Sequence, residues 1–164
     1  CTASLSTATC VPGRALPEGP VALVATIRDL QGFPSAPAQR SFTVDSIAPV
    51  ISFTAPAEGA LTGPAPSVQV SYADSGTGVV LSSLNVFLNG TVFPGTCTAG
   101  AAAAACTLSG PLLAGAQSLS ATIKDQAGNT SSQATRRFQV SGFKLRRKAL
   151  SFAGDRFAKD GLRT

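Results

Sequence analysis

Four cysteines have the clearest chemical potential in this chain. They form two pairs with the same spacing, Cys1 with Cys10 and Cys97 with Cys106. Thiols can bind a metal or form a disulfide, and zinc is disfavoured because neither pair has a histidine or a second cysteine pair nearby. We therefore predict the disulfides Cys1–Cys10 and Cys97–Cys106, each closing a loop of about ten residues. Because disulfides persist in oxidising compartments, the pattern predicts a protein that works outside the cytoplasm.

The segment between the second pair, GAAAAA (100–105), carries no reactive side chain. Between the first pair the corresponding residues are SLSTAT (4–9). We interpret both as tolerant spacers whose shape is fixed by the crosslink rather than by packing.

Several side chains could supply oxygen ligands to Ca²⁺, which takes six to eight of them. They are Asp74 with Ser75 and Thr77, Asp125 with Asn129, and, at a predicted domain junction, Asp45. The chain has few acidic residues and no dense run of alternating aspartates. Asp and Asn in turns usually bond to their own backbone. We therefore predict turn capping and no resident metal or other cofactor, with calcium as the alternative.

The composition argues against catalysis. The chain has no His, Trp or Met and a single tyrosine, Tyr72. Histidine is the commonest general base, and a serine or threonine nucleophile needs an adjacent base to activate it. We predict that the protein is not an enzyme.

The net charge of +5 is confined to the C-terminal end of the chain. Residues 1–141 carry equal numbers of basic and acidic side chains, whereas residues 142–164 carry seven basic and two acidic ones. This distribution does not favour a nucleic-acid partner. The basic tail includes Lys144, Arg146, Arg147 and Lys148. We interpret it as the start of a following β domain, with an anchor for anionic polymers as the alternative.

An internal repeat organises the chain. Residues 1–44 align without a gap on residues 97–140, and 18 of the 44 aligned positions are identical. An offset of 96 residues has the size of a small all-β domain. We therefore interpret residues 46–141 as one complete module, residues 1–45 as the C-terminal half of a preceding module, and residues 142–164 as a separate segment.

The apolar pattern within the complete module has a period of two. SVQVSY (67–72) and QSLSATIK (117–124) alternate apolar and polar residues, as half-buried strands do. Asn89-Gly90 lies between β-rich segments and predicts a hairpin with a type I′ turn. Gly128 lies in DQAGN (125–129), which has the composition of a turn. The fold class predicted is all-β, an Ig-like antiparallel β-sandwich in tandem.

Three stretches resemble the bacterial immunoglobulin-like, or Big-type, tandem repeats of secreted and surface proteins. They are VDSIAPVISFTAPAEGA (44–60), which contains Pro49 at the junction, DSGTGV (74–79) and SLSATIKDQAGNTS (118–131). The resemblance covers residues 44–141, and residues 10–44 as a half-copy. It implies spacers, stalks or adhesive units, and it is specific for the fold rather than for a function.

The function predicted is a non-catalytic spacer segment of an extracellular tandem-repeat protein that displays other domains. Its partners would be neighbouring modules of the same chain, and we predict no nucleic acid. One alternative is a subunit of a bacterial surface filament, completed by strands from identical subunits. Another is an adhesin with an unknown ligand, which an exposed Phe87 or Phe93 would favour. The location predicted is the bacterial cell surface or exterior, or a site associated with the periplasm or outer membrane.

Overall fold

The computed structural model describes residues 1–142, which form β-strands and no helix. This part of the chain therefore contains no helix long and apolar enough to cross a membrane. The strands are β1 (Thr2–Ala3), β2 (Ala8–Thr9), β3 (Gly19–Ala25), β4 (Ala38–Val44), β5 (Val50–Ala55), β6 (Leu61–Thr62), β7 (Val68–Ala73), β8 (Val79–Leu88), β9 (Thr91–Val92), β10 (Gly95–Ala99), β11 (Ala103–Leu108), β12 (Gly115–Asp125) and β13 (Ala134–Val140).

Strands β5 to β13 form two sheets. One has the order β10-β11-β7-β5 and the other the order β6-β13-β12-β8-β9. All pairings within them are antiparallel except β13 with β6, which is parallel. The buried side chains of the two sheets form a single core. The predicted all-β, Ig-like antiparallel sandwich is confirmed.

The core follows the period-two pattern of the sequence. Val68, Val70 and Tyr72 of β7 are buried, and the residues between them point away from the core. Strand β12 alternates in the same way, and its buried side chains belong to the same core. The fully buried large side chains are Phe138, Leu119, Ile123, Val68 and Val70.

The loop between β8 and β9 is a two-residue hairpin. Asn89 has φ 51° and Gly90 has φ 79°, the positive values that a type I′ turn requires. The Asn89 amide also joins this turn to β12, because its Nδ2 donates to Gln117 Oε1 at 2.7 Å and its Oδ1 accepts from the Ser118 N–H at 2.8 Å. The turn thereby connects two neighbouring strands of the five-stranded sheet.

Residues 1–45 form two separate antiparallel pairs, β1 with β2 and β3 with β4. Within the described residues neither pair joins a sheet of the sandwich. The basic tail, for which the sequence predicts a following β domain or an anchor, lies outside the described residues; it includes Lys144, Arg146, Arg147 and Lys148.

Tyr72 joins β7 to the β10–β11 hairpin. Its side chain is 4% exposed, and its hydroxyl donates to the carbonyl oxygens of Gly100, at 2.6 Å, and Ala103, at 3.0 Å. Burial raises the pKa of Tyr72 above its ordinary value. The folded state therefore holds the phenolic proton more tightly than the unfolded state does.

We expect Tyr72→Phe to lower the free energy of unfolding by about 1 kcal/mol at neutral pH, because it removes the hydroxyl. The proton-linked contribution of Tyr72 is present below the unfolded pKa of about 10 and is lost as pH rises through the higher folded pKa. The difference between wild type and variant should therefore shrink under alkaline conditions. Urea unfolding followed by circular dichroism between pH 7 and pH 11 measures it, and a constant difference would contradict this account.

Candidate functional site

Three aspartates from distant parts of the sequence converge at one end of the sandwich. Asp45 lies in the linker after β4, Asp74 in the loop after β7, and Asp125 at the end of β12. One carboxylate oxygen from each lies within 4.8 Å of the other two. We call these residues the carboxylate cluster.

Asp125 is the buried member of the carboxylate cluster, with 2% of its surface exposed. Its Oδ1 accepts from the backbone N–H of Asn129 at 2.8 Å, and its Oδ2 accepts from Asn129 Nδ2 at 2.8 Å. Asn129 Nδ2 also lies 3.0 Å from the Asp45 carbonyl oxygen, to which it donates. The turn at Gly128, whose φ is 97°, brings Asn129 back to Asp125. Asp125 and Asn129 thus cap their own turn and also bind the linker.

Asp74 is half-buried and has one satisfied oxygen. Its Oδ2 accepts from the backbone N–H groups of Gly76, at 3.0 Å, and Gly78, at 2.7 Å. Its Oδ1 is buried and accepts no hydrogen bond from any described residue. A buried polar atom without a partner is uncommon in native proteins and calls for an explanation.

Asp45 fastens the linker to the sandwich. Its Oδ2 accepts from the Thr77 backbone N–H at 2.7 Å and from Thr77 Oγ1 at 2.6 Å, and its Oδ1 accepts from the Ile47 N–H at 3.1 Å. The hydroxyl of Thr77, and then its N–H, hold the pKa of Asp45 below the ordinary value, against a smaller effect of desolvation. Asp45 is therefore ionised at neutral pH.

The carboxylate cluster concentrates negative charge. Two unit charges at this separation repel by about 1 kcal/mol in water and by several kcal/mol in protein-like surroundings. Among residues 1–142, no lysine or arginine forms an ion pair with any of the three. An all-oxygen donor set suits a hard cation such as Ca²⁺ and does not suit zinc.

The members of the carboxylate cluster were predicted from the sequence, but their proximity was not. Asp74, Asp125 and Asn129 were predicted as oxygen ligands in turns, and Asp45 as one at the domain junction. The structure also adds Thr77 as the residue that positions Asp45. No local sequence signal shows this, because the two are 32 positions apart.

Gly76 leaves room for the Asp45 carboxylate. A Cβ at position 76 would lie 2.4 Å from Asp45 Cγ, so the carboxylate would have to move. We expect Gly76→Ala to weaken the bonds to Thr77 and lower the free energy of unfolding by roughly 1–2 kcal/mol. The matched control is Gly63→Ala, where a Cβ meets no atom within 4 Å. Equal unfolding midpoints in urea for the two variants would show that the contact does not contribute to stability.

Both predicted disulfides are present, Cys1–Cys10 and Cys97–Cys106. Cys97 and Cys106 are directly paired residues of neighbouring strands β10 and β11. The interpretation of the alanine run as a spacer is wrong, since Ala103–Ala105 belong to β11 and pair with β7. Ala104 is 2% exposed and belongs to the core, so packing and strand pairing fix this segment together with the crosslink.

Two packed and mainly antiparallel sheets, one of which carries a disulfide between neighbouring strands, define an Ig-like β-sandwich module. No family model matches the sequence, and no curated protein matches it. Similar solved structures include the endo-β-1,4-mannanase from Thermotoga petrophila, with 18% identity and a TM-score of 0.48 over 60% of this chain. This chain covers 21% of the mannanase.

Two smaller proteins are also similar in structure. CopC from Methylosinus trichosporium OB3b has 12% identity and a TM-score of 0.44, over 56% of this chain and 94% of CopC. The fibronectin(III)-like modules of CbhA from Clostridium thermocellum have 14% identity and a TM-score of 0.39, over 56% of this chain and 96% of theirs.

Proposed function

We propose that this chain is a non-catalytic structural segment of a secreted or surface-anchored bacterial protein built from tandem Big-type Ig-like modules. The observation that carries the proposal is the repetition of one disulfide-linked unit along the chain. In the first copy Leu23 pairs with Arg40, and in the second the aligned Leu119 pairs with Arg136. The same backbone ladder therefore recurs 96 residues later.

The turns of the two copies also share a side-chain hydrogen bond. The Ile27 N–H donates to Ser35 Oγ at 3.1 Å, and the aligned Ile123 N–H donates to Ser131 Oγ at 3.1 Å. Both disulfides join cysteines whose Cα atoms lie 4.0 Å apart. The repetition in both sequence and geometry indicates that a structural module was duplicated. This favours a structural role over catalysis at a single site.

The side chains on the surface support the non-catalytic assignment. Two surface depressions, with volumes of about 450 Å³ each, are open grooves over β12 and β13. One of them contains Glu58, whose carboxylate lies 3.9 Å from the Arg136 guanidinium and accepts from the Arg137 N–H at 3.1 Å. This carboxylate is therefore bound by one guanidinium and one backbone N–H, and no hydroxyl or thiol of the described residues hydrogen-bonds to it.

The alternatives differ in what they require. We predicted that an exposed Phe87 or Phe93 would favour an adhesin. Phe93 is only 6% exposed and Phe87 is half-buried, so neither side chain supports that alternative. A filament subunit would need another copy of the chain to complete residues 1–45. Sedimentation and hydrogen exchange, described below, distinguish this alternative from completion by the same polypeptide.

Alkylation of the natural protein in intact cells tests the proposal. We expect none of the four thiols to react before reduction and all four to react after it, with the protein accessible to an external protease. Free thiols in a cytoplasmic protein would overturn the extracellular assignment.

We further propose that Ca²⁺ binds the carboxylate cluster and stiffens the junction. Asp45 belongs to the linker whereas Asp74 and Asp125 belong to the sandwich, so a shared cation would tie the two together. Two observations support binding of a cation: the three carboxylates repel one another, and Asp74 Oδ1 has no hydrogen-bond partner among the described residues.

Calcium titration of the full chain tests this assignment. We expect Ca²⁺ at ten times its Kd to add about 1.4 kcal/mol to the free energy of unfolding, seen as a raised Tm that a chelator reverses. Asp74→Asn should abolish the rise, since an amide oxygen can keep the bonds to Gly76 and Gly78 while the charge is lost. Asp29→Asn is the matched control, because Asp29 aligns with Asp125 but lies outside the carboxylate cluster. A wild-type Tm unaffected by millimolar Ca²⁺ would exclude the site.

A further inference from the structure

The two copies of the repeat differ sharply in burial at identical residues. In the second copy Leu119, Ile123 and Phe138 are 1%, 0% and 2% exposed. The aligned Leu23, Ile27 and Phe42 of the first copy are 56%, 74% and 44% exposed. Because these residue types and the strand register are the same, we attribute the difference in side-chain exposure to the strands that cover each copy.

The strands that cover the second copy all come from the segment immediately before its cysteine pair. Strand β8 pairs with the edge of β12, where Leu88 lies opposite Leu119. Strands β5 and β7 supply Phe53 and Val70 to the same core across the sandwich. In the first copy β3 pairs with β4 alone, so its other edge and its apolar face have no partner among residues 1–142.

We propose that the exposed apolar face of β3 and β4 is the docking surface for three strands with the sequence pattern of β5, β7 and β8, supplied by the same polypeptide on the N-terminal side of Cys1. The gapless repeat supports this order, since the covering strands of the second copy all precede Cys97 in the chain. The inference rests on the proposed tandem function and specifies its strand-level contacts.

A second copy of the chain is a weaker occupant for physical reasons. Its own β5, β7 and β8 are already paired within its sandwich, so it would have to unfold that sandwich to donate them. A segment in the same polypeptide also docks at a high effective concentration and loses no translational freedom.

The test extends the full chain by its own donor segment. Residues 46–96 are added directly before Cys1, which reproduces the order found in the second copy. We expect hydrogen-exchange protection of the β3 and β4 amides to rise by about 100-fold or more, towards that of β12 and β13. The matched control carries Val70→Asp in the added segment only, and its β3 and β4 should exchange as fast as in the unextended chain.

Two further measurements keep the inference falsifiable. The natural longer protein should show the same protection of residues 19–44, and lack of protection both there and in the extended chain would overturn the inference. Sedimentation of the unextended chain should show a monomer. A dimer that protects β3 and β4 would assign the surface to a second copy and overturn it too. These results are independent of the thiol and location measurements that test the proposed function.

Discussion

Phe138→Ala is expected to lower the free energy of unfolding of the sandwich by about 3–5 kcal/mol. Phe138 lies on β13 and is 2% exposed, so removal of its ring leaves a cavity between the two sheets. The buried core side chains of the other strands come from β5, β7, β8, β11 and β12 and cannot all move to fill it. Urea unfolding followed by far-ultraviolet circular dichroism measures the loss.

The repeat supplies the control for this prediction. Phe42 aligns with Phe138 and occupies the same register position in its own hairpin, but it is 44% exposed. Phe42→Ala in the unextended chain should therefore lower the free energy of unfolding by less than about 1 kcal/mol. Comparable losses for the two variants would show that residues 1–45 already share the core of the sandwich in solution.

Loss of the Cys97–Cys106 crosslink is expected to cost the sandwich roughly 2.5–3 kcal/mol in the chain-entropy account. The double variant Cys97→Ala, Cys106→Ala isolates this effect, because Ala at the buried position 106 introduces no polar group. The crosslink joins directly opposed residues of β10 and β11, so its removal should chiefly enlarge the unfolded ensemble. Denaturant unfolding of the oxidised proteins gives the difference.

The Cys1–Cys10 pair is the matched control. It has the same spacing and joins strands that pair only with each other in the described part of the chain. The double variant Cys1→Ala, Cys10→Ala should leave the unfolding midpoint of the sandwich unchanged. If both double variants lose the same stability, the crosslinks act through a property shared by both copies rather than through the sandwich.

Local patterns in the sequence were sufficient for much of the fold. The alternation in β7 and β12 depends only on which face of each strand is buried, and the turn at Asn89 depends on a backbone conformation that few residue pairs adopt. The disulfides followed from spacing and from the absence of histidine. Each of these signals lies within about ten residues of chain.

The remaining features depend on tertiary structure. Alanine has a low preference for strands, so the run at 101–105 gave no strand signal, yet Ala103–Ala105 form part of β11 through pairing with β7 and β10. The carboxylate cluster requires the linker, one loop and the end of β12 to meet, and nothing in the sequence around Asp45 indicates that Thr77 will hold it.

The five-stranded sheet ends in β6 on one side and β9 on the other, and each is only two residues long. An incoming strand of a neighbouring domain would find few free backbone groups there. In an array of near-identical units, each unit meets its neighbours at high local concentration while it folds, and exchange of strands between units is a common failure. Edge strands this short would let such units be joined end to end and still fold separately.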